Sequence, residues 1–191
     1  MSAEPELAIQ VMSLPPPLVV PPGAYPPDVG IDARLLQGLE EHAASSPHCE
    51  VGGLLFGQAD VGGSRLQLMV TGALPAESFD AGPLHLTFTH ETWNRLRRRR
   101  AAEYAGDLVV GWYHTHPGLG VFLSGLDLGL HARIFAVQPW CVALVLDPVR
   151  RRRAFFWPRG DQVHRCAEIV GAAGWPTGGR RDGIPDAENR H

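Results

Sequence analysis

Apolar and polar positions recur along the chain with two different periods, and the period changes at turn residues. ARLLQGLEEHAAS, residues 33–45, places Leu35, Leu36, Leu39 and Ala43 on one face of a helix, with Asp32 as its cap and Pro47 beyond its end. EVGGLLFGQ and RLQLMVTGAL then read as strands with turn residues between them, and LHLTFT alternates like another strand. HETWNRLRRRRAAEYAG reads as a helix ending at Gly106, and DLVVGWYH as a short, apolar, central strand. SGLDLGLHARIFA returns to helical spacing with Ser124 as a cap. WCVALVLD is the most buried-looking strand, and RAFFWP follows a turn at Asp147-Pro148. Helices and strands mix without repeating βαβ units. That predicts an α+β fold, a mixed sheet flanked by helices.

The two ends depart from this pattern. Residues 1–30 hold eight of the 17 prolines, a density that excludes a helix and predicts an extended arm, with ELAIQVMSL as a short strand inside it. Residues 174–191 are polar and rich in Gly and Arg, and read as a loose tail. A single domain is expected over residues 31–173, within a chain of 191 residues that is long enough to bury a core.

Composition narrows the partners. The net charge of −3 gives no bulk attraction to nucleic acid or to an anionic membrane, and no apolar run approaches the roughly 20 residues of a membrane span. The first residues lack a basic segment followed by an apolar core, so a cytoplasmic location is expected. Cys49, Cys141 and Cys166 are an odd, widely spaced set without a CxxC pair, which predicts free thiols rather than disulfides or a cysteine zinc site. All 17 basic residues are arginine. Codon bias in a GC-rich genome gives that result, and so does a need to escape lysine-modifying ligases. The runs Arg97–Arg100 and Arg150–Arg153 read as solvated faces or as contacts for an acidic partner.

The chemistry concentrates in GWYHTHPGLGVFLSGLD, residues 111–127. His114 and His116 leave the end of a strand, where residues i and i+2 point to one side, so two imidazoles can converge on one ion. Asp127 follows a glycine-rich loop and can reach back from the first turn of a helix as the third ligand. Two histidines and a carboxylate, with water in the fourth position, describe a hydrolytic zinc site. Such a site needs a carboxylate that moves protons without binding the metal, and Glu50, at the head of EVGGLLFG, is the candidate. Its neighbours Gly52 and Gly53 allow close backbone approach. Ser124, three residues before Asp127, can donate to an oxyanion. A barrel amidohydrolase is excluded because it needs about 250 residues, and the deaminase pattern HxE with PCxxC is absent.

Glu50, then His114-Thr115-His116-Pro117, then Ser124 and Asp127 after ten intervening residues resembles the signature of the JAMM (MPN+) zinc metalloproteases. EVGGLLFG is similar to that family's Glu-bearing strand, and CVALVLDP to the strand after its metal helix; the likeness covers about residues 30–157. It implies a single MPN/JAMM domain of cytidine-deaminase-like fold with one catalytic zinc per chain. His114, His116 and Asp127 would be the ligands, Glu50 the proton carrier and Ser124 the oxyanion donor. Non-catalytic MPN scaffolds lack parts of this set. The resemblance further implies a substrate. It is either a ubiquitin-like protein, released from conjugates or matured after its C-terminal glycine, or a sulfur-carrier protein trimmed for cysteine, thiamine or siderophore synthesis. Gly118 and Gly120 suit a groove for a Gly-Gly tail bound as an added strand. Leu119, Val121, Phe122 and Leu123 form either an exposed partner surface or a small core under the loop. Their apolar character leans towards deconjugation, in a bacterial ubiquitin-like pathway with its own activating and conjugating enzymes, of which an antiviral one is an example.

Overall fold

Asp32 closes one element and opens the next. The computed structural model describes residues 19–20, 23, 25–62, 65–76 and 89–171, with strand β1 at Tyr25–Asp32 and helix α1 at Ala33–Ala44. The Asp32 carboxylate accepts from the amides of Arg34 and Leu35 at 2.9 and 3.0 Å, satisfying two donors that a helix start leaves unpaired. Leu36, Leu39 and Ala43 are buried, as the helical spacing predicts. The other elements are β2 (Gly52–Gly62), β3 (Arg65–Ala76), α2 (His90–Glu103), β4 (Leu108–Thr115), α3 (Gly125–Leu130), β5 (Val142–Asp147), β6 (Arg152–Arg159), β7 (Gln162–Arg165) and β8 (Ala167–Gly171). No helix among the described residues is long and apolar enough to cross a membrane.

The strands form one eight-stranded sheet in the order β7-β6-β5-β4-β2-β3-β1-β8. β1 runs parallel to β3 and β8, β4 runs parallel to β5, and the other neighbours are antiparallel. With the three helices among the described residues this is the predicted α+β mixed sheet, in one domain. Only Cys166 joins β7 to β8, although these strands stand at opposite ends of the order. A one-residue link reaches about 7 Å, so the sheet curls until its ends meet. The Cys166 amide donates to the Phe155 carbonyl of β6 at 2.9 Å, and Arg153 of β6 pairs with Glu168 of β8 at 2.7 Å.

β4 and β5 lie in the middle, and every residue of β5 is buried. The core contains Trp93, Trp112, Trp140 and Trp157. Trp140 and Trp157 spend their indole N–H groups on the carbonyls of Val109 and Pro139, both at 3.0 Å, which removes the cost of burying a polar atom. All three cysteines are free, with Cys141 and Cys166 buried and Cys49 half-buried. Burial pushes the Cys166 thiol up to about 12.

Several elements differ from the sequence pattern. β1 starts at Tyr25, so the expected boundary at residue 30 between arm and domain falls inside a strand. Pro26 and Pro27 sit where the β1–β3 register shifts, at an irregularity that needs no amide from them. The helix read through SGLDLGLHARIFA is two pieces, because α3 passes into a π-helical turn over His131–Phe135 with the Ala136 amide on the His131 carbonyl. Of the first arginine run, Arg97 and Arg98 are exposed, Arg99 pairs with Glu103 and Arg100 is buried. Within LHLTFT, residues 84–88 lie outside the described residues, and Thr89 caps α2. ELAIQVMSL and the tail at 174–191 also lie outside them.

Candidate metal centre

The parallel strands β4 and β5 end side by side, with Thr115 opposite Leu146. The chain crosses between them through the loop 116–124 and α3, so its polar residues collect beyond the carboxyl ends of the pair, where open sheets of parallel strands place their ligand sites. His114 lies on β4, and His116 follows it with its amide on the Leu146 carbonyl at 2.8 Å. The two-residue period brings their Nε2 atoms to 3.1 Å of each other.

Ser124 and Asp127 build the facing wall. The Asp127 amide donates to Ser124 Oγ at 3.2 Å, and the Ser124 amide donates to Asp127 Oδ2 at 2.6 Å, a reciprocal cap that opens α3. The same cap holds Asp127 Oδ1 at 3.2 Å from His114 Nε2, and Oδ2 at 3.4 Å from His116 Nε2. A tetrahedral zinc with bonds of 2.0–2.1 Å has its ligand atoms about 3.3 Å apart. With one ligand atom from each side chain, the three lie within 4.8 Å of one another, close enough to converge on one cation.

Electrostatics favour the ligand forms. Burial lowers the pKa of His114, outweighing the Asp127 carboxylate that would raise it, so the ring stays neutral. Burial would raise the pKa of Asp127, but hydrogen bonds with His114, His116 and Ser124 hold it well below the usual carboxylate range. Both Nδ1 atoms are buried without a hydrogen-bond partner among the described residues. Packing orients the rings instead: Trp112 stacks on His114 at 4.6 Å and 11°, and Phe122 lies over His116 at 4.7 Å. Trp112 in turn donates its indole N–H to His131 Nδ1 at 3.1 Å. Burial lowers the pKa of His131 to about 4, which keeps that nitrogen an acceptor.

Glu50 is buried, with Oε1 3.8 Å from His116 Nε2. It precedes β2 by two residues rather than starting that strand. The intervening Val51 is pinned to the end of β4: its amide donates to Thr115 Oγ1, and its carbonyl accepts from the Thr115 amide, both at 2.9 Å. Gly53 makes the close approach that its type suggests, since a Cβ there would fall 2.1 Å from the Leu74 carbonyl oxygen.

The loop after His116 is anchored by Asp147, which the sequence pattern marks only as a turn residue. This carboxylate is 1% exposed and accepts from the amides of Gly118 (2.9 Å), Gly120 (2.8 Å), Val149 (3.1 Å) and Arg150 (3.0 Å). Burial would raise its pKa, but these four backbone donors lower it. Gly118 and Gly120 have φ of 74° and 95°, so the turn itself calls for glycine at both places. The apolar loop residues divide. Leu119 and Phe122 are exposed, Val121 is half-buried, and Leu123 packs against the core. Leu126 on α3 is also exposed beside them, and its place in a helical pattern concealed it.

This fold and this set of converging side chains define a JAMM-type metal-site domain. The family profile described as prokaryotic homologs of the JAB domain matches residues 32–158, and the chain belongs to that prokaryotic branch of the JAMM/MPN+ family. COP9 signalosome complex subunit 5 of Drosophila melanogaster is 34% identical over 125 residues, which cover 64% of this chain and 37% of that protein. The Caenorhabditis elegans subunit 5 is 32% identical over 131 residues, covering 68% of this chain and 35% of that protein. The 26S proteasome non-ATPase regulatory subunit 14 of Drosophila melanogaster is 46% identical over 44 residues, 23% of this chain and 14% of that protein. The chain thus spans little more than a third of the length of the COP9 relatives. A protein of Desulfitobacterium hafniense solved in solution shares the fold, with a TM-score of 0.59 at 21% identity over 76% of this chain and 94% of that one.

Proposed function

We propose that the protein is a zinc-dependent isopeptidase or peptidase that cleaves after the C-terminal glycine of a ubiquitin-like protein. The convergence of His114, His116 and Asp127 at 3.1–3.4 Å carries this reading, with Glu50 buried beside them. A zinc ion held by these three residues would act as a Lewis acid, acidifying a water molecule and polarising the scissile carbonyl.

The chain's own residues supply the rest. Glu50 takes a proton from the attacking water and passes it to the leaving amine, a transfer for which a buried carboxylate next to the ligands is placed. Ser124 Oγ already accepts from the Asp127 amide, which leaves its hydroxyl hydrogen to donate to the oxyanion. The loop 118–122 lines the approach, with Leu119 and Phe122 offering exposed apolar surface to the substrate tail. A bacterial ubiquitin-like conjugation pathway in the cytoplasm is the setting this reading favours, with operon-encoded activating and conjugating enzymes as companions.

The test uses the purified chain and a ubiquitin-like protein encoded near it, carrying either a C-terminal peptide extension or an isopeptide-linked target. Wild type and Glu50→Ala are compared, with zinc content measured for both. Cleavage after the terminal glycine by wild type alone, with about one zinc in each protein, supports the reading. A preference for the isopeptide substrate assigns deconjugation. A preference for a sulfur-carrier precursor assigns processing instead. A chain that holds zinc and cleaves neither points to another partner or a missing activator and revives the binding-module reading, and a chain that holds no zinc overturns the site.

A further inference from the structure

The second arginine run does not behave as one solvated face. Arg153 turns inward along the sheet and is neutralised by Glu40 at 2.6 Å and Glu168 at 2.7 Å. Arg151 and Arg152 are exposed, and neither they nor Arg165 on β7 has an ion-pair partner among the described residues. Two cavities flank the turn that carries the run. The one towards α1, about 580 Å³, includes Glu40 and Glu41 in its wall, so arginine and carboxylate balance there. The other, about 560 Å³, is walled by Arg151, Arg152, Arg153 and Arg165 with Glu168 as the one acid, and its remaining wall is Val121. That residue belongs to the loop that leaves His116. The cationic cavity therefore adjoins the loop that runs from His116 to Ser124.

Two further details tie the turn to the loop. Asp147 accepts amides from both: Gly118 and Gly120 on one side, Val149 and Arg150 on the other. Arg151 is also the one non-glycine residue with positive φ, at 52°, among the described residues. Glycine would occupy that conformation without strain, so an arginine there retains a side chain at a backbone cost.

We propose that this cavity docks an acidic segment on the protein whose tail enters the metal centre. The proposal rests on the function given above and adds the charge of the substrate. Arginine forks suit carboxylates, which they can bind with two parallel hydrogen bonds. No aromatic side chain among the described residues lines the cavity to stack a base, and the chain as a whole carries −3, so a peptide carboxylate fits better than nucleic acid. The docked segment lies beside Val121, so it holds the substrate body while the tail follows the loop to the ligands.

The experiment is direct binding of a fluorescein-labelled hexaglutamate peptide to the full chain, read by anisotropy at low and at moderate salt. Arg152→Gln with Arg165→Gln is expected to weaken binding about tenfold, with wild-type affinity falling as salt rises. Arg151→Gly is expected to weaken binding while its melting temperature stays level or rises, because glycine relieves the positive φ. Arg97→Gln with Arg98→Gln, an equal charge change on α2, is expected to bind like wild type. Glu50→Gln is expected to keep the peptide, so this arm stands even if no cleavage is found. With a cleavable ubiquitin-like substrate, the cavity variants are expected to raise KM about fivefold or more with kcat kept. Equal losses in the cavity and α2 variants overturn the proposal, as does no loss in either. Tighter binding of a thymidine hexanucleotide through the same arginines overturns it in favour of nucleic acid.

Discussion

Asp127 and Asp147 are both buried carboxylates at the carboxyl ends of the parallel strands β4 and β5, and both accept hydrogen bonds from backbone amides. They differ in what remains after those bonds. Asp147 accepts three amides on Oδ1 and one on Oδ2, with Arg150 Nε 3.8 Å from Oδ2, so it is a fastener between loop and turn. Asp127 accepts one amide, from Ser124, and its oxygens stand 3.2 and 3.4 Å from two imidazole nitrogens. The same residue type is structural in one place and a proposed metal ligand in the other. The partners separate them, rather than burial or charge: backbone amides surround Asp147, while two imidazole nitrogens able to bind a cation stand beside Asp127.

The sharpest way to break the comparison is Asp127→Asn. The amide oxygen still caps α3 through the Ser124 amide, but the charge that holds a cation is gone. Zinc is expected to fall from about one per chain to near zero after dialysis, and cleavage by about a thousandfold, with the fold kept. Full zinc occupancy in this variant would remove Asp127 from the ligand set. Ser124→Ala comes next. It loses the side-chain half of the cap, about 1 kcal/mol in denaturant melts, and the proposed oxyanion donor, about a hundredfold in kcat, while zinc stays bound. If stability drops and kcat does not, Ser124 is a cap alone.

Asp147→Asn reverses the pattern. One side-chain oxygen becomes an NH2 facing amide donors, which costs about 2–3 kcal/mol. The ligands are untouched, so zinc should remain while kcat/KM falls about tenfold as the loop 118–122 loosens. Loss of zinc in this variant, rather than in Asp127→Asn, would exchange the roles of the two aspartates.

The two regions were also unequally legible in the sequence. Glu50, His114, His116, Ser124 and Asp127 stand out because a hydrolytic metal site would fix both residue type and spacing, and the structure brings all five together. Asp147 carried a weaker signal. An aspartate ending an all-apolar strand must find partners somewhere; two are local, but the two that anchor the loop lie 27 and 29 residues earlier, on glycines whose type hinted at a groove. Long-range pairing hid the rest. AEIVG has the local pattern of a strand, but nothing local says that it crosses past Cys166 to pair with β1 instead of β7. The β1 strand was masked by Pro26 and Pro27, which a register shift accommodates. The π-helical turn preserves enough helical spacing to read as one helix.

His131 gives the smallest effect at neutral pH and tests how the ligand side of the comparison is supported. It follows Asp127 by four residues but touches the site through Trp112, whose N–H it accepts and whose ring stacks on His114. Folding holds its pKa at about 4, against an ordinary value of 6.5, because burial disfavours the charged ring. Between those two values the unfolded chain binds a proton that the folded chain refuses. The contribution to stability is therefore whole above pH 6.5, declines as pH falls, and is exhausted near pH 4, a span of about 3 kcal/mol at most. His131→Asn keeps an acceptor for Trp112 and cannot titrate. In urea melts of the metal-free proteins, the two should differ by less than about 1 kcal/mol at pH 7. As the pH is lowered, wild type should lose ground on the variant by up to about 1.4 kcal/mol per pH unit, and groups common to both cancel in the difference. Parallel curves across that window would mean that the ring is protonated in the folded chain. Trp112, and with it the face of His114, would then be held by packing alone.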